Sequence, residues 1–146
     1  MSKFAFQRAF QELTDEESEA IMVRARLLEF PAGAIILREG EPQTRIYVIL
    51  DGAVRVLRLG QNGTEKELAG PLGPGDTLGE MSFVDDMGAS ATLIAGSDVV
   101  MKVITHQDVD ALASQNDTFK ERFYLSLLFT VVRRLRVLDY KMAFAD

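Results

Sequence analysis

No cysteine occurs anywhere in the 146 residues. A disulfide-stapled secreted fold is thereby excluded, and so are thiolate zinc sites and a cysteine nucleophile. The chain has a single histidine, His106. A metal centre built on two imidazoles cannot form, and a Ser-His-Asp triad would have to use that one ring. No apolar run approaches the roughly 18 residues that a membrane-spanning helix needs. The start, Met1-Ser2-Lys3-Phe4, lacks a basic flank, apolar core and small-residue cleavage site, so a cytoplasmic protein is expected. Bases are scarce too: 16 Lys and Arg against 22 Asp and Glu leave a net charge of −6. That balance disfavours a duplex-binding surface, which needs clustered cations against phosphates. Phosphate-binding P-loops, GxSxG elbows and EF-hand loops are all absent.

What remains is ordinary globular material. Hydrophobic residues make up 47% and charged residues 26%, enough for one domain with a core of its own. Three stretches of different texture follow one another. The first, residues 1–26, reads helical. Thr14 and Glu17 have capping-box spacing, and Asp15 and Glu16 fall in the first turn, where the helix dipole favours acids. That helix is predicted to run to about Arg24. Phe4, Phe6 and Phe10 before it suggest a short amphipathic segment.

Residues 27–106 read as strands separated by Gly and Pro. Strands are predicted at Leu27–Phe30, Ala34–Arg38, Ile46–Leu50, Ala53–Leu59, Lys66–Ala69, Asp76–Leu78, Ser90–Ala95 and Asp98–Thr105. Asp51-Gly52 and Asn62-Gly63 are hairpin signals. Many short strands without intervening helices indicate an antiparallel sandwich or barrel. Gly79 to Asp86 breaks the alternation and is predicted to form a short helix.

Residues 107–146 are expected to be helical and to serve dimerisation. Phe119 to Phe144 contains no Gly or Pro and reads as one long helix. Tyr124, Leu128, Val131, Leu135, Leu138 and Met142 are spaced as a heptad seam. Phe119, Phe123, Leu127 and Val132 form a second apolar face. Two faces imply two partners, the β domain and a second copy of the chain; one broad core face is the alternative.

Candidate chemistry is thin. Asp85 and Asp86 are adjacent, so on a helix they point about 100° apart and read as solvated acids. His106 at a strand end reads as a surface or capping residue. The informative segment is Gly73 to Leu93. A glycine there opens a one-turn helix whose first N–H groups are unpaired, which makes either an anion cradle or ordinary capping. Glu80 at that start can accept hydrogen bonds from sugar hydroxyls.

At these residues the chain resembles a known family. Ile46-Tyr-Val-Ile-Leu-Asp-Gly-Ala-Val-Arg-Val56, Gly73-Pro-Gly-Asp76, Leu78-Gly-Glu-Met-Ser82 and Ser90-Ala91-Thr92 are similar to the cyclic nucleotide-binding domain. That is the β-roll type of catabolite activator protein and protein kinase A regulatory subunits. The resemblance spans about Leu13 to Leu138. It implies a mainly-β fold: an eight-stranded antiparallel β-roll of jelly-roll type with an N-terminal helix, a short phosphate-cassette helix within residues 73–92 and a long C-terminal helix. It further implies that Glu80 holds the ribose 2′-hydroxyl and that backbone N–H groups at Gly79, Met81, Ser90 and Ala91 hold a cyclic phosphate. The family's phosphate-pairing arginine falls on Ala89.

That departure matters, because between Lys66 and Lys102 there are six acids and no base. A buried phosphate wants a bidentate guanidinium, which would have to come from elsewhere, for example Arg45, Arg55 or Arg58. The cluster Arg133, Arg134 and Arg136 reads as a solvated face. The reading that follows is a stand-alone, non-catalytic regulatory module. It has no cofactor or metal, takes a cyclic nucleotide only weakly, forms a homodimer through its last helix and regulates a partner protein. No DNA-binding domain and no membrane contact are expected. A scaffold with a vestigial pocket is the alternative, and a small β-barrel enzyme a remote one.

Overall fold

The computed structural model describes residues 2–68 and 70–144. Helices α1 (Ser2–Ala9) and α2 (Asp15–Arg24) lead into strands β1 (Arg26–Phe30), β2 (Ile35–Leu37), β3 (Ile46–Asp51), β4 (Val54–Leu59), β5 (Glu65–Glu67) and β6 (Thr77–Leu78). Helix α3 (Glu80–Asp85) follows, then β7 (Thr92–Ala95), β8 (Val99–Ile104), α4 (His106–Ala113) and α5 (Phe119–Ala143). The strands form two antiparallel four-stranded sheets, ordered β1-β8-β3-β6 and β2-β7-β4-β5. This is the expected β-roll with its flanking helices, and the cassette helix falls where the break in alternation placed it.

The residues of β3 explain the layering. Ile46 to Leu50 are all buried, because both faces of the strand are covered and side chains alternate between them. Ile46, Val48 and Leu50 join Phe6, Phe10, Ile21, Phe83, Phe119 and Phe123 in a core between sheet and helices. Tyr47 and Ile49 join Val54, Leu78, Leu93 and Met101 in a second core between the sheets. Expected and observed strand ends differ by one or two residues. The predicted end of β5 at Ala69 lies outside the described residues. Strand β7 starts at Thr92 rather than Ser90, because its ladder with β4 begins at the Leu57–Thr92 pair.

Two capping boxes set helix starts. The Thr14 hydroxyl accepts the Glu17 N–H at 3.1 Å, and Glu17 Oε1 accepts the Thr14 N–H at 2.9 Å. Thr105 and Asp108 repeat the device at α4. Glu17 does a second job. It receives Arg122 through both carboxylate oxygens and also Asn116, tying α2 to the first turns of α5. The Arg122 guanidinium holds the Glu17 carboxyl down at about 2, against the opposing pull of burial.

Helix α5 is docked only over its first half. Phe119, Phe123, Ser126, Leu127 and Thr130 are buried, and Val132 is half-buried. The seam residues Tyr124, Leu128, Val131, Leu135, Leu138 and Met142 are between 36% and 68% exposed. The helix therefore presents an apolar face that its own domain does not cover.

Candidate functional site

Strand β6 pairs with Tyr47 and Val48 of β3 and runs directly into the cassette. Gly79 ends it in the left-handed region, at φ +83°, where a Cβ would lie 2.4 Å from the Arg45 carbonyl oxygen. Only glycine meets both demands. The turn makes Glu80 the first helical residue of α3 and buries it to 5% exposure.

Contacts from three elements hold α3 in place. The Phe83 ring stacks on His106 with centroids 3.7 Å apart and planes 2° from parallel. His106 Nε2 lies 2.8 Å from the Phe83 carbonyl oxygen, so the single histidine, exposed at the start of α4 as expected, also supports the cassette. Gln43 donates through Nε2 to the Gly79 carbonyl at 3.2 Å and to the Ser82 hydroxyl. Its Oε1 accepts the Arg45 N–H at 2.8 Å. At the far end the Ala89 N–H donates to Glu41 at 2.9 Å, and the Ala89 carbonyl accepts from Gly40 at 2.8 Å.

The electrostatic centre is Glu80. Its Oε1 pairs with Arg134 of α5, whose Nη2 also donates to the Thr77 carbonyl at 2.6 Å. The other carboxylate oxygen, Oε2, is buried with no hydrogen-bond partner, as is the Thr77 hydroxyl. Burial raises the Glu80 carboxyl above its ordinary value, and Arg134 opposes the rise without cancelling it. The Thr77 side chain is among the groups that pull the Glu80 carboxyl back down, and an acceptor left unpaired in a buried site is open to a further donor.

Arg134 corrects the sequence reading, which placed it on a solvated face. Its charge partner is inside the cassette because Phe123, Leu127, Thr130 and Arg134 step by four, three and four residues along one side of α5. The first three are buried, so the stripe carries Arg134 onto the domain. That spacing was the available signal. Of the arginines expected as alternative phosphate partners, Arg45 lies just before β3, and Arg55 and Arg58 on β4 are engaged elsewhere. Arg55 pairs with Glu67 at 2.5 Å and Arg58 lies 4.0 Å from Glu39. Arg45 lines a separate depression of about 380 Å³ with Glu41, Tyr47 and Asp86.

The six acids of the base-free segment are also less isolated than their run suggests. Glu67, Asp76 and Glu80 take Arg55, Arg8 and Arg134 from outside it. Asp85 and Asp86 remain exposed, as expected. Of the predicted contact residues, Glu80 and Ala91 are buried, Gly79 is half-buried, and Met81 and Ser90 are exposed. Ala89 is 8% exposed and joins the inter-sheet core with Leu37 and Leu93. A methyl group thus occupies the place where the resemblance puts an arginine. Among the described residues no cluster of His, Asp or Glu could hold a metal ion, and no helix is long and apolar enough to cross a membrane.

Comparison with known proteins bears on this geometry. The family model described as cyclic nucleotide-binding domain matches residues 27–116. The chain is 29% identical over 133 residues to a cyclic AMP receptor protein of Thermus thermophilus, covering 91% of this chain and 59% of that one. It is 33% identical over 138 residues to a CRP-like cAMP-activated global transcriptional regulator of Mycobacterium tuberculosis, covering 92% and 58%. It thus spans about three fifths of the length of these relatives. The Thermus thermophilus catabolite activator protein superposes with a TM-score of 0.80 at 29% identity, over 93% of this chain and 62% of that one. A cyclic nucleotide-binding domain from Methylobacillus flagellatus shares the fold, with a TM-score of 0.80 at 22% identity over 92% and 80% of the two chains.

Proposed function

Since the chain belongs to the cyclic nucleotide-binding domain family, we propose that it is a non-catalytic regulatory domain whose cassette takes a cyclic nucleotide with low affinity. The observation that carries this reading is the unpartnered oxygen of buried Glu80. A ribose hydroxyl donating to Oε2 would satisfy it while Arg134 keeps Oε1. Gly79 and the N–H groups of Met81, Ser90 and Ala91 would receive the cyclic phosphate. Low affinity follows from Ala89. Loss of a buried charge partner typically costs about 2–5 kcal/mol of binding. Arg134, the guanidinium on Glu80, is already committed to that carboxylate and to Thr77.

The domain works as a homodimer in the same proposal. The exposed seam of α5 belongs against a second copy, because six apolar side chains on one helix face do not stay in water without a partner. Dimerisation would link the cassette to the interface, since Arg134 sits one residue before Leu135 of the seam. A regulated protein partner is the remaining element of the role.

Titration calorimetry with cyclic AMP and cyclic GMP tests the ligand. Dissociation constants above about 10 μM are expected, and Ala89→Arg should tighten binding at least about tenfold, as a restored charge-assisted pair would. The scaffold reading rests on Arg134 already closing over Glu80. It takes precedence if neither the wild type nor Ala89→Arg binds either nucleotide at millimolar concentration.

A further inference from the structure

A second cavity lies on the other side of Arg134, between α1, the Gly75–Thr77 turn and α5. It has a volume of about 360 Å³, and its lining includes Arg8, Asp76, Thr77, Thr130, Arg133 and Arg134. It shares Gly75, Asp76 and Thr77 with the cassette segment, but none of the expected ligand contacts Gly79, Glu80, Met81, Ser90 and Ala91, nor Ala89, lines it. Its charge is the unusual feature. Three guanidinium groups face one carboxylate, in a chain whose net charge is −6. The depression beside Arg45 has the opposite balance, with Glu41 and Asp86 against one arginine.

The three arginines are unequally occupied. Arg134 is held by Glu80 and the Thr77 carbonyl. Arg8 is 3.8 Å from Asp76 Oδ1, a loose pair, while Asp76 Oδ2 accepts the Gly73 N–H at 2.8 Å. Arg133 has only the Thr130 hydroxyl, at 3.4 Å, and among the described residues no carboxylate is within ion-pair distance of it. Thr77, whose hydroxyl has no partner, belongs to the same lining. The stem of Arg8 lies across Gly75, where a Cβ would come within 2.5 Å of Arg8 Cδ. The backbone of the turn is thus shaped to seat that side chain.

We infer that this cavity is a second binding site, for the oxyanion group of a small phosphorylated or carboxylated molecule, held by Arg133, Arg8 and the Thr130 hydroxyl. Guanidinium groups bind both oxyanions through paired N–H donors, and the volume admits a metabolite rather than a bare ion. Arg134 lines this cavity and pairs with Glu80, so an anion here would compete for the same guanidinium. That coupling rests on the cassette reading above; the site itself does not.

Inorganic phosphate and acetate serve as probes, titrated at constant ionic strength into the uniformly ¹⁵N-labelled full chain, with chloride as the control. Saturable shifts at the Thr130 amide and the Arg133 Nε–H are expected with one or both oxyanions. Arg133→Gln should weaken that binding at least about fivefold, the loss of one charge-assisted pair. Arg133 is exposed, so this variant should fold. Arg8→Gln, at an exposed side chain, should weaken it as well. The stronger probe distinguishes a phosphate-bearing from a carboxylate-bearing ligand. Equal shifts with chloride, or an affinity indifferent to Arg133→Gln, would overturn the site. Cyclic nucleotide failing to bind, with these shifts intact, would instead count against the cassette reading alone.

Discussion

Replacing Arg134 by methionine should produce a loss of stability that grows with pH. The substitution removes the guanidinium from a carboxylate that is 5% exposed and whose other oxygen has no partner among the described residues. Breaking a buried pair from one side typically costs about 3–5 kcal/mol. Glu80 has an escape from that cost, which is to take up a proton. Holding it neutral costs about 1.36 kcal/mol for every pH unit above its unfolded value, ordinarily 4.5. The ceiling is therefore about 0.7 kcal/mol at pH 5 and about 3.4 kcal/mol at pH 7. The wild type already carries part of this, since burial outweighs Arg134 and its Glu80 is raised. A difference of about 1–3 kcal/mol at pH 7, or about 3–10 °C in Tm, is what remains for the variant.

The sign is fixed by the direction of the shift. A carboxyl raised on folding binds its proton more tightly in the native state, so its contribution is favourable at low pH and lost as pH rises through the folded value. Urea denaturation of wild type and Arg134→Met at pH 5, 6, 7 and 8 reads this directly. The double variant Glu80→Gln/Arg134→Met should flatten the pH dependence, because no titratable group is left in the site. A loss that is the same at pH 5 and pH 8 would refute the reasoning and make Arg134 a packing residue only.

The other buried carboxylate should behave oppositely. Glu17 is held down at about 2 by Arg122, so its stabilisation is present above the ordinary carboxylate value and is lost as pH falls from about 4.5 towards 2. Glu17→Gln should cost about 2–3 kcal/mol at pH 7 and little at pH 2.5 by the same denaturation assay; equal costs at both would argue against the ion pair. Leu135→Glu should disfavour self-association by about 2–4 kcal/mol, since it sets two carboxylates into the seam. Light scattering at tens of micromolar should give twice the 16.2 kDa chain mass for the wild type and the single-chain mass for the variant. A wild-type monomer would contradict the interface and leave the exposed face of α5 unexplained.

The fold was legible because its punctuation is local. Capping pairs such as Thr14 with Glu17, glycine turns such as Asp51-Gly52, and the Gly79 break all act within a few residues, and each stands where the expected elements begin or end. The cassette was legible for the same reason, being a contiguous segment. What the pattern hid were pairings across long separations. Arg134 reaches Glu80 over 54 residues, and His106 reaches Phe83 over 23. The sequence shows a base-free acidic run and a basic cluster that reads as a solvated face, and the fold joins them at one pair, Glu80 with Arg134. The stripe Phe123, Leu127, Thr130, Arg134 is the local hint, and the apolar seam beside it on α5 carries the stronger period. Arg122 and Glu17 were missed likewise, the acid having a sufficient local role in its capping box.

Whether the Glu80 cassette receives the ligand is decided most directly by two-dimensional NMR of the ¹⁵N-labelled wild type titrated with cyclic AMP and cyclic GMP. At least one nucleotide should give saturable shifts centred on the amides of Gly79, Glu80, Met81, Ser90 and Ala91, with a dissociation constant above about 10 μM, and Glu80→Gln should weaken them. Shifts that spare these amides, or a cassette response indifferent to Glu80→Gln, would contradict the account.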